Sequence, residues 1–313
     1  MTPFSFHIII PSSHGRMWHG EAGDARAKEA CLHALKLGYK LVDTAQYYGN
    51  EADVGAAVAD YTAAGGARPY LVTKLLAARM GAADARAALK ESLAKLRVDA
   101  VDLYLVHSPK EGKVVKTWAE LCKLRSEGFC KAVGVSNFSI EHLEGLAAAG
   151  LPVPEVNQIE LHPWLPQDET VAYCREHGIA VMGYCPLARC NRFTKKPKDD
   201  DKEDATANVD VATKAPPGPV TPSTIAAVAQ AAEASEAQVA LRWSLQKGYI
   251  TIPKSTNEGR IRENAKAVAM FSGWIGGALS DEHMALLDEC RKNECRASGS
   301  VQWMDEKWED VKN

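Results

Sequence analysis

Residues Leu103–Ser136 read LYLVHSPKEGKVVKTWAELCKLRSEGFCKAVGVS, and this stretch decides the fold. It opens on a short apolar run, Leu103–His107, with no clean alternation of apolar and polar residues. Such a run suits a strand covered on both faces. Val114–Glu127 has the length of a helix, and Gly128 follows it where a C-cap glycine belongs. Ala132–Ser136 is a second apolar run. Strand, helix and strand at this spacing make a parallel unit.

The same rhythm extends in both directions. Strand-like runs occur at Phe6–Pro11, Tyr39–Thr44, Tyr70–Lys74, Val156–Glu160, Ala180–Tyr184 and Tyr249–Pro253, which brings the number to eight. Helical segments at Ala22–Leu37, Gly81–Leu96 and Gln167–His177 lie between them, favoured by their alanine content. Gly38 and Gly178 repeat the role of Gly128. Eight alternating units predict an α/β fold of the closed (β/α)8 barrel type, the TIM barrel, as one domain over residues 1–313. Two stretches break the rhythm. Residues 191–222 form a long polar loop after the seventh strand, closed by Pro216, Pro217, Pro219 and Pro222. A loop there is either a lid or a surface insertion, and its composition favours the insertion. Residues 291–313 form a polar tail in which Trp303 and Trp308 read as anchors onto the barrel.

Composition excludes several functions. The chain has 313 residues, 25% charged and 46% apolar, with a net charge of -3. It has no basic block of the kind that binds nucleic acid. No apolar run approaches the ~20 residues of a membrane-spanning helix. The N-terminal residues read as a strand and not as a signal peptide, so a cytoplasmic location is expected. Eight scattered cysteines without a CxxC pair argue against a disulfide framework, and no metal site is expected.

The chemistry-bearing residues gather at strand ends. Asp43 with Tyr48, Lys74 and His107 each sit at or just past the C-terminal end of a predicted strand. In a parallel barrel that rim is where chemistry is done, and the four together make a proton-delivery device. Taken singly, Lys74 reads as a rim salt bridge, His107 as a core histidine and Tyr47 as packing. No GxGxxG follows a strand and no Walker motif exists. After the eighth strand, however, Lys254, Ser255 and Arg260 lie around the start of a helix. They either converge on a phosphate or form a helix cap with solvated basic residues.

Several ordered motifs make the chain resemble the aldo-keto reductase superfamily, in its branch of small monomeric NADPH-dependent reductases. They are Asp43–Glu51, Leu93–His107 with Asp102-Leu103-Tyr104-Leu105-Val106-His107-Ser108-Pro109, Gly134–Phe138, Asn157–Pro163 and Ile252–Asn264. The resemblance implies NADPH/NADP+ as cofactor and a small-molecule carbonyl compound as substrate. It makes Asp43, Tyr48, Lys74 and His107 the catalytic tetrad, with Tyr48 as proton donor. Ser136, Asn137 and Gln158 would hold the nicotinamide carboxamide, and Tyr184 would stack on the ring. Lys254, Ser255, Thr256 and Arg260 would bind the 2'-phosphate, and Glu263 and Asn264 the adenine end. Trp18, with His107, would wall the substrate pocket.

Chemistry explains the tetrad. Hydride transfer to a carbonyl creates an alkoxide that needs a proton as it forms. A tyrosine near pKa ~10 is a weak acid at neutral pH. A charged Lys74, kept so by Asp43, is expected to lower the Tyr48 pKa. One departure from the family stands out. Pro11–Trp18 carries His14 and Arg16 where glycines are expected and Met17 where threonine is expected. That change bears on cofactor affinity. Two other classes are weighed. A cofactor-binding barrel with a regulatory role is disfavoured by the intact tetrad. A sugar isomerase would need paired carboxylates in register, and none are found.

Overall fold

The computed structural model describes residues 7–9, 25–188, 223–271, 277–290 and 304–313. Eight strands form one sheet: β1 His7–Ile9, β2 Leu41–Asp43, β3 Tyr70–Leu75, β4 Val101–Val106, β5 Cys130–Ser136, β6 Val156–Glu160, β7 Ala180–Tyr184 and β8 Ile250–Ile252. Their order in the sheet is their order in the chain, and every pair is parallel. β1 and β8, the two ends of that order, lie against each other, so the sheet curls into the expected α/β barrel. The helices are α1 Ala25–Lys36, α2 Glu51–Ala63, α3 Ala82–Leu96, α4 Val114–Ser126, α5 Ile140–Ala148 and α6 Asp168–Glu176. α7 Ser223–Ala231, α8 Glu236–Gln246, α9 Glu258–Phe271, α10 Asp281–Asp288 and α11 Trp308–Val311 complete them.

Local sequence explains the punctuation. Gly38, Gly128 and Gly178 have φ of 91°, 87° and 70°, the left-handed conformation that ends a helix at little cost for glycine. Ser139 and Ser235 start α5 and α8 with reciprocal capping boxes through His142 and Gln238. Gly134 serves close approach. A Cβ there would stand 2.6 Å from the Val156 carbonyl oxygen and 2.7 Å from Leu105.

The absence of clean alternation has a structural cause: both strand faces are covered. One apolar cluster, Leu41, Val72, Leu103, Leu105, Val156, Met182, Tyr184 and Ile252, fills the barrel interior. A larger one, including Val42, Leu71, Leu75, Tyr104 and Val106, lies between strands and helices. Side chains alternate along a strand with period two. Leu41 therefore shares its face with Asp43, Val72 with Lys74, Leu105 with His107, Val156 with Gln158, and Met182 with Tyr184. An apolar floor rises to a polar layer at the C-terminal ends of the strands.

The tail is anchored as expected at Trp308. Its ring lies over Gly145, where a Cβ would come within 2.3 Å, and its backbone N–H donates to Glu141. Val311 is buried, and the Asn313 carbonyl accepts from the Lys113 backbone N–H at 2.7 Å. His14, Arg16, Met17 and Trp18, the 191–222 loop, the 291–303 part of the tail and Trp303 lie outside the described residues. Among the described residues no helix is long and apolar enough to cross a membrane.

Candidate active site

Asp43 and Lys74 face each other across the neighbouring strands β2 and β3, and neither side chain has any exposure. The Lys74 ammonium donates to Asp43 Oδ1, to the Thr44 carbonyl at 3.0 Å and to the Tyr48 hydroxyl at 3.4 Å. Its Nζ also stands 4.9 Å from the centroid of the Tyr48 ring. Asp43 Oδ2 accepts from Gln158 Nε2 at 2.8 Å, across the barrel interior. Tyr48 itself sits on a short 3-10 turn, Gln46–Tyr48, that leaves the end of β2. His107, just past β4, presents its ring edge-on to Tyr48 with centroids 5.8 Å apart. The four residues named from the sequence are thus brought together.

Tyr47 differs from expectation. It is 43% exposed and stands 5.8 Å from the His107 ring and 6.4 Å from the Tyr48 ring, so it borders the site and does not fill the core.

A second group continues from the tetrad. Ser136 ends β5, and its hydroxyl donates to the Gln158 carbonyl at 2.8 Å. Asn137 follows with φ of 61°, a left-handed conformation that asparagine tolerates. Its side-chain amide donates to the His107 carbonyl and to Ser136 Oγ, both at 3.0 Å. The Tyr184 hydroxyl donates to Asn137 Oδ1 at 2.8 Å. Gln158 Nε2 also lies 2.8 Å from the Met182 thioether, a weak acceptor.

The third group surrounds the start of α9. Asn257 caps the helix, its Oδ1 accepting from the Arg260 backbone N–H at 3.0 Å. Ser255 is buried, and its Oγ accepts from the Asn257 N–H at 3.1 Å. Lys254, Thr256 and Arg260 are exposed, Glu263 is half-buried and Asn264 is buried. The segment is thus a helix cap whose basic side chains, Lys254 and Arg260, are exposed near the start of α9.

Burial dominates the electrostatics. It pushes the Asp43 carboxyl up, against the pull of Lys74 and Gln158. It pushes the Lys74 ammonium down, against Asp43 and, more weakly, Glu51. His107 is driven down to about 3 by burial and by the Lys74 charge, so its imidazole is neutral at physiological pH. Tyr48 corrects the expectation from sequence. Burial, then the Asp43 charge, then Cys185 and Tyr47 hold its hydroxyl well above the ordinary tyrosine range. The Lys74 ammonium is offset by the carboxylate bonded to it, and desolvation of a phenolate wins.

A parallel barrel with an acid–base cluster on its C-terminal rim is the general plan of a barrel enzyme. Residues 13–292 match the profile of the Aldo/keto reductase family, and the chain belongs to that family. It is accordingly an NADP(H)-dependent oxidoreductase of carbonyl compounds. It is 40% identical over 235 residues to the uncharacterized oxidoreductase YtbE of Bacillus subtilis, covering 74% of each chain. It is 35% identical over 270 residues to a glyoxal reductase of Bacillus subtilis, covering 86% of this chain and 84% of that one. Among solved structures, an aldo-keto reductase of Bombyx mori in complex with NADP superposes with a TM-score of 0.76 at 29% identity, over 96% of this chain and 93% of that one.

Proposed function

We propose that this chain reduces aldehydes and ketones to alcohols with NADPH, and that Tyr48 donates the proton. The observation that carries the reading is the Tyr48 hydroxyl 3.4 Å from a fully buried Lys74 ammonium that is itself bonded to Asp43. Bound NADPH supplies the hydride, which no side chain can. The residues present fit it on two counts. Gln158 commits its side-chain N–H groups to Asp43 and a thioether, which leaves its Oε1, beside Ser136 and Asn137, to accept from the N–H of a carboxamide. Exposed Lys254 and Arg260, with Ser255 and Thr256, meet the N-terminus of α9, where a phosphate is favoured.

Each residue then has a task. Ser136, Asn137 and Gln158 orient the carboxamide, and Tyr184 offers its ring as the platform. Lys254, Ser255, Thr256 and Arg260 hold the 2'-phosphate, while Glu263 and Asn264 hold the adenine end. Neutral His107 donates an N–H to the substrate oxygen and orients it without surrendering a charge. Tyr48, fully protonated at neutral pH, passes its proton to that oxygen as the alkoxide forms. Lys74 stabilises the phenolate left behind, and Asp43 fixes Lys74 in place. The rate gain from such acid catalysis is about 10²–10⁴-fold. Tyr48→Phe is expected to lower kcat by that amount while NADPH binding, read by fluorescence titration, is retained. Full turnover in this variant would remove Tyr48 as the donor.

A further inference from the structure

Tyr48 lies on a turn and not on a strand, so something else must fix its distance to Lys74. Three side-chain locks hold the turn. Thr44 Oγ1 donates to Asn50 Oδ1 at 2.6 Å and closes the loop across its base. Gln46 accepts from the Leu76 backbone N–H at 3.1 Å and donates to the Ala88 carbonyl at 2.9 Å. Glu51, the first residue of α2, accepts from Thr73 Oγ1 at 2.6 Å.

The third lock is unusual. The Glu51 carboxylate is buried, and among the described residues its Oε2 has no hydrogen bond; the nearest cation is Lys95 Nζ at 4.0 Å. A buried carboxylate whose close partners are the hydroxyls of Thr73 and Ser92, with no cation in direct contact, is costly to hold, which a helix-terminal role alone does not demand. Its partner is also informative. Thr73 and Lys74 are consecutive on β3, so Lys74 points into the barrel and Thr73 points out toward α2 and α3. One strand is thereby gripped from both sides by the two ends of the Tyr48 turn.

We propose that Glu51 is a positioning residue for proton transfer: its bond to Thr73 sets the Tyr48–Lys74 distance, and its carboxylate places negative charge behind Lys74. The inference rests on Tyr48 being the proton donor. The charge effect has the required direction, since Glu51 raises the proton affinity of Lys74 against burial. The groups facing Glu51 are Lys74 from β3, Tyr104 from β4, and Lys95 and Glu91 from α3. Those facing Lys74 are Asp43 from β2, Tyr48 from the turn and His107 after β4.

The test compares Glu51→Gln, Thr73→Val, Thr73→Ser and Tyr48→Phe in steady-state reduction of a small aldehyde across pH, with NADPH affinity by fluorescence. Glu51→Gln should lower kcat about tenfold with KM within about twofold, because misplacement acts on the transition state. It should also move the alkaline limb of kcat down by roughly half a pH unit or more, as Lys74 loses a neighbouring charge. Thr73→Val should reproduce the kcat loss without the shift in the limb, and Thr73→Ser should restore kcat. Unchanged kcat and pH limb in Glu51→Gln, with only a lower Tm, would overturn the proposal. If Glu51→Gln does not fold, the threonine pair decides, and wild-type kcat in Thr73→Val overturns it. An active Tyr48→Phe would instead sink the proton-donor reading. An inactive one beside an unaffected Glu51→Gln sinks this inference alone.

Discussion

Replacing Asp43 by leucine should unfold the protein more readily through one identifiable group, the lysine it leaves behind. Lys74 has no exposure, and without Asp43 its ammonium keeps only the Thr44 carbonyl at 3.0 Å and the Tyr48 hydroxyl at 3.4 Å. Breaking one partner of a buried pair costs about 3–5 kcal/mol. An independent estimate agrees. If the stranded lysine deprotonates at pH 7 from an ordinary pKa of ~10.4, the cost is ~3.4 units at ~1.36 kcal/mol each, or ~4.6 kcal/mol. The sign with pH follows. The unfolded lysine binds a proton that the folded one lacks, so stability of Asp43→Leu rises with pH by about 1.4 kcal/mol per unit and the deficit shrinks to ~2 kcal/mol at pH 9. Asp43→Leu/Lys74→Met, which removes both charges, should recover most of the loss, because an apolar pair of similar volume is often neutral or better. Urea unfolding of the wild type, both single variants and the double variant at pH 7 and 9 gives the cycle. A pH-independent deficit, or a double variant as unstable as Asp43→Leu, would refute the reasoning that the ion pair, and not the volume of the aspartate, is at stake.

Two further outcomes follow from the site. The His107 imidazole, at about 3 when folded against 6.5 ordinarily, should show no titration between pH 5 and 8 in histidine NMR, and an inflection near 6.5 would contradict the joint effect of desolvation and the Lys74 charge. In stability, its contribution is complete above 6.5 and is lost as pH falls toward 3, at up to about 1.4 kcal/mol per unit, while the raised Asp43 carboxyl acts in the opposite sense. Arg260→Ala should raise KM for NADPH far more than for NADH, since an exposed cation at the start of α9 is suited to the 2'-phosphate. Equal effects on both cofactors would remove it from that role.

The strand-borne parts of the site follow a rule that sequence shows, and the turn that carries Tyr48 does not. Asp43, Lys74, His107, Gln158 and Tyr184 belong to strands or their ends, where period two and a parallel arrangement fix the face and the height. Recognising the strands was therefore enough to gather Asp43, Lys74 and His107, even though the apolar runs show no clean alternation, whereas Gln158 and Tyr184 came from the resemblance to the family. Tyr47 and Tyr48 lie on a 3-10 turn outside that rule, and which of them faces the ammonium depends on the Thr44–Asn50, Gln46–Leu76 and Glu51–Thr73 contacts. The last two join residues 30 and 22 positions apart, beyond the reach of local pattern. The direction of the Tyr48 pKa was hidden for a related reason. A lysine nearby suggests a lowered phenol, but the sign is decided by desolvation of the half-buried Tyr48 hydroxyl and by the carboxylate already bonded to that lysine. A protonated Tyr48 is the form a donor requires, so the reversed direction serves the proposed reduction: what Lys74 must stabilise is the phenolate after transfer, not the phenol before it. In the geometry that permits this, β2 and β3 set the bond from the ammonium to Asp43, and the turn sets the one to the departing proton's oxygen. Substitutions at Asn50, Gln46 or Thr73, which touch neither substrate nor cofactor in this arrangement, should therefore act on kcat before they act on KM.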